Sequence, residues 1–282
     1  MLTDDRLLAG IDALEAALDS APSRGRRVWG QLWPKLAAVA IAVFLWQCVV
    51  WSHWKPEYIL PGPRHTFPAL WTLAKTGAFW TTVLRTLSRG VKGYAVAVVI
   101  GSVVGLAVAR IKVLRVAVGS MITGLQTMPS VAWFPLAIVV FKIGEGAILF
   151  VVVLGAAPSI ANGIIAGVDH VPPLLLRSGR MLGARGLKTY RHVVIPAALP
   201  SFVGGLKQGW AFAWRSLMAG ELIAQIPGRA GIGTGIDNAR SASDYPQMIA
   251  WMIVLLVLGI LIDSLFTKAD ATLRRRWGLL TT

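Results

Sequence analysis

Charge is scarce in this 282-residue chain, and negative charge scarcest: 15% of residues are charged and only 13 are Asp or Glu. Soluble domains carry about 25% charged residues, so a water-exposed globule would lack its polar shell. Asp4, Asp5, Asp12, Glu15 and Asp19 fall close to the N-terminus, which leaves the remainder still poorer in acid. The single cysteine, Cys48, excludes an intrachain disulfide. His53, His65, His170 and His192 stand without ligand spacing, so no metal site is expected. No Gly-Lys dipeptide occurs, which excludes a phosphate loop of the GxxxxGK[ST] kind. No nucleophile and base share a recognised catalytic motif, and the chain reads as non-catalytic. A basic n-region leading into a short apolar run is also missing, so no signal peptide is expected.

What is present is apolar and basic. Hydrophobic residues make up 55% of the chain, and the mean hydropathy is +0.64. A bilayer is the solvent that suits such a composition. A membrane span needs about 20 mostly apolar residues. Such runs lie at about 36–52, 93–109, 116–141, 147–168, 199–223 and 247–267, which predicts an all-α protein with six transmembrane helices.

The net charge of +15 raises nucleic acid as a partner. The basic residues instead cluster between apolar runs, so no nucleic-acid partner is expected. Arg24, Arg26 and Arg27 precede the first run, and Arg110, Lys112 and Arg115 follow the second. Arg177, Arg180, Arg185, Lys188 and Arg191 follow the fourth, and Arg274, Arg275 and Arg276 follow the sixth. Cytoplasmic loops carry the excess of Lys and Arg. Both termini are therefore expected in the cytoplasm. Trp29 and Trp33 before the first run, and Trp51 and Trp54 after it, suit the interfacial belts.

Three regions follow from this pattern: an N-terminal amphipathic helix and basic linker over 1–30, a six-helix membrane domain over 31–277, and a tail over 278–282. Leu7, Leu8, Ile11, Leu14 and Leu18 recur at helical spacing in the first region, with acids opposite. That helix would lie on a neighbouring subunit or on the membrane edge, and its acidic face disfavours anionic lipid. Gly101 and Gly105, Gly163 and Gly167, and Gly205 and Gly209 have the spacing of close helix packing.

Polar groups inside apolar runs are costly in hydrocarbon and mark candidate pathway positions. Lys207, Trp210, Trp214 and Glu221 share a helical stripe in the fifth run, and Arg215 points about 140° from Trp210 at roughly 100° per residue. These residues either line a translocation route or sit as snorkelling and interfacial groups near span ends. In the third run, Pro129 and Pro135 should kink or interrupt the helix, with Gln126, Met128 and Trp133 beside the break. Such a break is either a gate element or a packing kink.

A polar stretch at about 169–196 separates the fourth and fifth runs. Pro172-Pro173 signals a helix start, Leu174, Leu175, Met181 and Leu182 alternate with basic residues, and Gly183 and Gly186 end the helix. Pro196 and Pro200 mark entry into the next run. A short helix with one apolar and one cationic face either docks on a partner or lies along the membrane.

This stretch resembles the cytoplasmic EAA loop of ABC-importer permeases, whose pattern is Glu-Ala-Ala, three residues, Gly, nine residues, an Ile-like residue, one more, then Leu-Pro. Arg177, Ser178 and Gly179 take the first three positions, Gly183 the glycine, Val193 the Ile position and Ile195-Pro196 the Leu-Pro. A base, Arg177, replaces the usual acid. Leu125 to Ile138 with Gly144-Glu145, and Trp214-Arg215 through Ala219-Gly220-Glu221 to Gly231-Ile232-Gly233, resemble the nitrate, sulfonate, taurine and bicarbonate type. The likeness runs from about residue 36 to 277.

The resemblance implies the type I importer permease fold in a bacterial inner membrane. It implies two permease copies in a homodimer, two ATPase subunits that bind ATP and Mg, and a solute-binding protein outside. No cofactor is expected in this chain. Arg177, Ser178, Gly179, Arg180, Leu182, Gly183, Ala184, Val193 and Pro196 would couple to the ATPase. Gln126, Met128, Pro129, Trp133, Trp210, Trp214, Arg215 and Glu221 would form the pathway or gate. A secondary carrier or an integral membrane enzyme without an ATPase remains the alternative at this point.

Overall fold

The computed structural model describes residues 24–276. The expected N-terminal amphipathic helix, read on Leu7 to Leu18, and the expected tail at 278–282 lie outside the described residues. The chain divides after His65 into two compact units. Helix α1 (Arg24–Trp51) belongs to the first, and its Leu32–Trp51 stretch is apolar enough to cross a bilayer. Every other element is helical, and no strand occurs among the described residues.

After α2 (Pro63–Ala74), helix α3 (Gly77–Arg110) begins well before the apolar run expected at about 93–109. The Thr76 side chain caps it by accepting from the Phe79 amide at 3.3 Å. Arg85, Arg89 and Lys92 had masked its first half as polar, yet Arg89 is only 5% exposed because the fold supplies partners for its charge.

The third run breaks where the prolines lie. Helix α4 (Lys112–Thr127) ends at Met128, a 3₁₀ turn spans Ser130–Trp133, and α5 (Phe134–Phe141) follows. The two halves are bent by 103°. Proline lacks the amide proton that continues a helix, and Pro129 sits at that bend in extended conformation.

Helix α6 (Glu145–Asp169) is the axis of the second unit. It runs parallel to α3 and antiparallel to α8 (Ile195–Ile223), and glycine sets both separations. A Cβ built on Gly101 would lie 2.6 Å from the Ala157 carbonyl oxygen. One built on Gly163 would lie 2.7 Å from the Gly205 Cα. Backbones thus touch backbones on both flanks of α6, the arrangement that small residues permit between apolar helices. Around this seam, Ile148, Val151, Val152, Ile160 and Leu217 form the dry core.

Helix α7 (Pro173–Met181) precedes α8, and α9 (Ile232–Ser241) and α10 (Tyr245–Arg276) complete the chain. Among the described residues, four helices are long and apolar enough to span a membrane, and the bent α4/α5 pair, taken as one span, makes a fifth. Helix α8 is 29 residues long but more polar, carrying Lys207, Arg215 and Glu221. The chain is an all-α, multi-pass membrane protein.

Candidate translocation and coupling sites

The residues expected to line a pathway fall into three places. The first surrounds the α4/α5 break. A cavity of about 300 Å³ is lined by Gln126, Met128, Pro129, Gly155, Phe212 and Arg215, among others. Gln126 donates to the Ser159 hydroxyl at 2.9 Å and accepts from Asn162 at 2.6 Å, tying the end of α4 to α6. The Ser130 and Ser216 hydroxyls meet at 2.6 Å, tying the broken segment to α8. Gly155 leaves room for that pair: a Cβ there would collide with the Ser216 oxygen. The Arg215 guanidinium lies 5.3 Å from the Phe212 ring centre and forms no ion pair among the described residues. Trp133 closes the 3₁₀ turn, half-buried, and does not line this cavity.

The second place is an aromatic stack on another face of α8. Trp210 and Trp214 stack at 6.1 Å, and Trp210 also meets Phe266 at 5.9 Å and Tyr94 at 5.1 Å. The Tyr94 hydroxyl donates to the Leu206 carbonyl at 2.8 Å. Lys207 bonds Thr267 at 2.8 Å and pairs with Asp263 at 3.4 Å.

Glu221 is the third, and it is fully buried. Its carboxylate accepts from Arg89 at 2.9 Å, from the Thr86 hydroxyl at 2.9 Å and from the Gly233 amide at 3.0 Å. Arg89 continues the network by donating to both Glu145 oxygens, at 2.7 and 2.9 Å, and to the Arg229 carbonyl at 2.7 Å. The Thr86 hydroxyl accepts from the Ile232 amide at 2.9 Å. One cluster thereby joins α3, α6, α8 and the start of α9. Gly231 and Gly233 lie so close that a Cβ on either would strike Glu221. Buried charges persist when paired and fully hydrogen-bonded, and this one is.

Arg89, Glu145 and Thr86 were not among the candidate residues from sequence. Glu145 stood only within the Gly144-Glu145 part of the resemblance, and Arg89 only as a charge beside an apolar run, with nothing to indicate that they meet.

The coupling candidates form a separate surface. Helix α7 ends at Leu182, where Gly183 takes φ +81° and Gly186 φ +55°, a left-handed region suited to glycine. The Ala184 amide donates to the Gly179 carbonyl at 2.9 Å and the Gly183 amide to the Arg180 carbonyl at 3.0 Å. Gly179 is buried against Val193: a Cβ there would lie 2.8 Å from the Val193 Cγ2. Met181 and Leu182 are each 88% exposed, with Arg177, Ser178 and Arg180 exposed around them. Beyond Gly186, a helical turn (Leu187–Thr189) and a π turn (Tyr190–Val194) run without a break into α8, past Pro196. The stretch from Leu187 through α8 is therefore continuously helical, and Arg215 lies on it.

The chain belongs to the family described as binding-protein-dependent transport system inner membrane component, which matches residues 97–275. It is 29% identical to the riboflavin transport system permease protein RibX of Chloroflexus aurantiacus, over 85% of this chain and 92% of that one. It is 26% identical to the taurine transport system permease protein TauC of Escherichia coli, over 81% and 84%. The fold matches the MetNI methionine ABC transporter in inward-facing form, with a TM-score of 0.53 at 21% identity over 69% of this chain and 93% of that one. The protein is therefore an ABC-importer permease subunit of the inner membrane.

Proposed function

We propose that the cavity beside the α4/α5 break is part of the route for a small anionic solute handed over by a solute-binding protein. The observation that carries this is Arg215, exposed on the cavity wall within α8, about two turns before its end, with no carboxylate partner among the described residues. An uncompensated cation at that depth is costly unless an anion, water or a partner surface meets it. Met128 and Pro129 supply backbone outside a regular helix on the opposite wall, which is tolerated at membrane depth only where it is buried in protein or lines a cavity.

In this reading two permease copies pair around the route, and two ATPase subunits bind ATP and Mg beneath them. Both termini and α7 lie on the cytoplasmic side. Met181, Leu182, Arg177 and Arg180 offer the ATPases an apolar centre rimmed by cations. Closure of the ATPase dimer would move α7 and, through the continuous turn at 187–194, the whole of α8. A packed helix in one of two arrangements turns such a displacement into alternating access.

Arg215→Ala should lower solute uptake about tenfold or more, the size of one lost charge-assisted contact, while the complex still assembles. Arg215→Lys should recover part of it. Wild-type uptake by Arg215→Ala would remove the residue from the route.

A further inference from the structure

Two cavities meet where the Arg110 end of α3, the Asp169 end of α6 and the Ile195 end of α8 come together. One, of about 280 Å³, is walled by apolar side chains of all three helices, including Leu106, Ile164, Leu199 and Phe202. The other, of about 400 Å³, lies beneath α7 and is lined by Leu176, Arg180, Arg185 and Thr189. Val168, Tyr190 and Val194 line both, so the two cavities adjoin along these residues, an apolar arm beside a cationic mouth. Arg110 lines the arm beside Tyr190, its guanidinium 3.5 Å from the ring centre. Among the described residues, no acidic side chain lines either cavity.

We propose that this pair of cavities binds one anionic phospholipid of the inner leaflet, with an acyl chain in the arm and the phosphate at the mouth. A soluble anion would satisfy the mouth alone and leave the arm's apolar walls in water, a state that burial of hydrocarbon relieves. A neutral lipid would fill the arm but leave Arg110, Arg180 and Arg185 without a countercharge. Basic pockets among cytoplasmic helix ends suit anionic headgroups. The π turn at Tyr190–Val194 belongs to the wall, so the lipid would touch the very connection between α7 and α8. The inner-leaflet assignment rests on the orientation proposed above.

The test is native mass spectrometry of the full chain in detergent, with phosphatidylglycerol or phosphatidylcholine of equal chain length. Phosphatidylglycerol should be retained in preference. Arg110→Gln and Arg185→Gln should each weaken it about fivefold, the effect of one basic residue at a membrane surface. Leu106→Trp, which fills the arm without altering charge, should weaken both lipids, and its site is exposed enough to leave folding intact. Equal retention of the two lipids overturns the proposal, as does unchanged phosphatidylglycerol binding by the Arg110→Gln/Arg185→Gln pair. Sidedness is read separately, from impermeant maleimide labelling of Leu182→Cys in a Cys48→Ser background. Labelling from outside sealed cells overturns the orientation and the inner leaflet with it, whatever the lipid result.

Discussion

Arg89 and Glu221 meet at 2.9 Å although 132 residues separate them, and both are buried. The pair sits where α3, α6, α8 and α9 converge, so their relative placement depends on one guanidinium. Arg89→Met would leave the buried Glu221 without its cation, while Glu145 keeps Arg229 at 4.0 Å. A loss of about 3–5 kcal/mol is expected for such an orphaned buried charge, read as a fall in the thermal midpoint by tryptophan fluorescence. Glu145→Gln should fall less, because the Glu145 side chain is 34% exposed and water can compensate. Equal shifts for the two variants would contradict the central role of Arg89.

The seam beside α6 should discriminate between glycines of the same helical type. Gly101→Ala should cost about 1–3 kcal/mol by overpacking, since its new methyl meets backbone that cannot turn aside. Gly204→Ala should be neutral or stabilise by up to about 1 kcal/mol, as alanine favours helix and no atom lies within 4 Å. Similar midpoints for both would mean that the seam is looser than its distances imply.

Gly155 and Ser216 should behave as one unit. Gly155→Ala alone presses on the Ser216 hydroxyl, whereas Ser216→Ala removes that atom together with its bond to Ser130. The double variant should be less destabilised than the two singles combined, with a coupling of about 0.5–3 kcal/mol. Strict additivity in chemical or thermal unfolding would refute the contact.

Gly183 should be sensitive to backbone shape rather than to bulk, because a Cβ there meets nothing within 4 Å. Gly183→Val forces a β-branched residue into the left-handed region, a strain of about 1–2 kcal/mol, and should impair ATP hydrolysis coupled to transport in the assembled complex. Gly183→Asn, which tolerates that conformation, should retain most of it. The same loss in both variants would point to space, not strain.

Much of this architecture was legible in the residues. Pro129 announced the break in the third span, and Gly183 and Gly186 announced the end of α7, because both residue types act through their own backbone. The glycine spacings of α3, α6 and α8 pointed to close packing, though not to which helix met which. The early start of α3 was hidden, since hydropathy counts Arg89 as exposed whether or not the fold pairs it. Helical periodicity placed Lys207, Trp210, Trp214 and Glu221 on one stripe, yet each meets different neighbours as α8 passes from Asp263 to Phe266 to Arg89. Periodicity reports a side of one helix. It carries no information about partners 56 or 132 residues away.

The contact of bare backbone along both flanks of α6 also limits how this protein can move. Long side chains accommodate sliding by changing rotamer, but Gly101 on Ala157 and Gly163 on Gly205 have none to adjust. Helices α3, α6 and α8 should therefore travel as a single splint. Any change of shape during a transport cycle must be absorbed elsewhere, and the bend at Met128–Ser130 is the place beside that splint where the chain has already given up its helix.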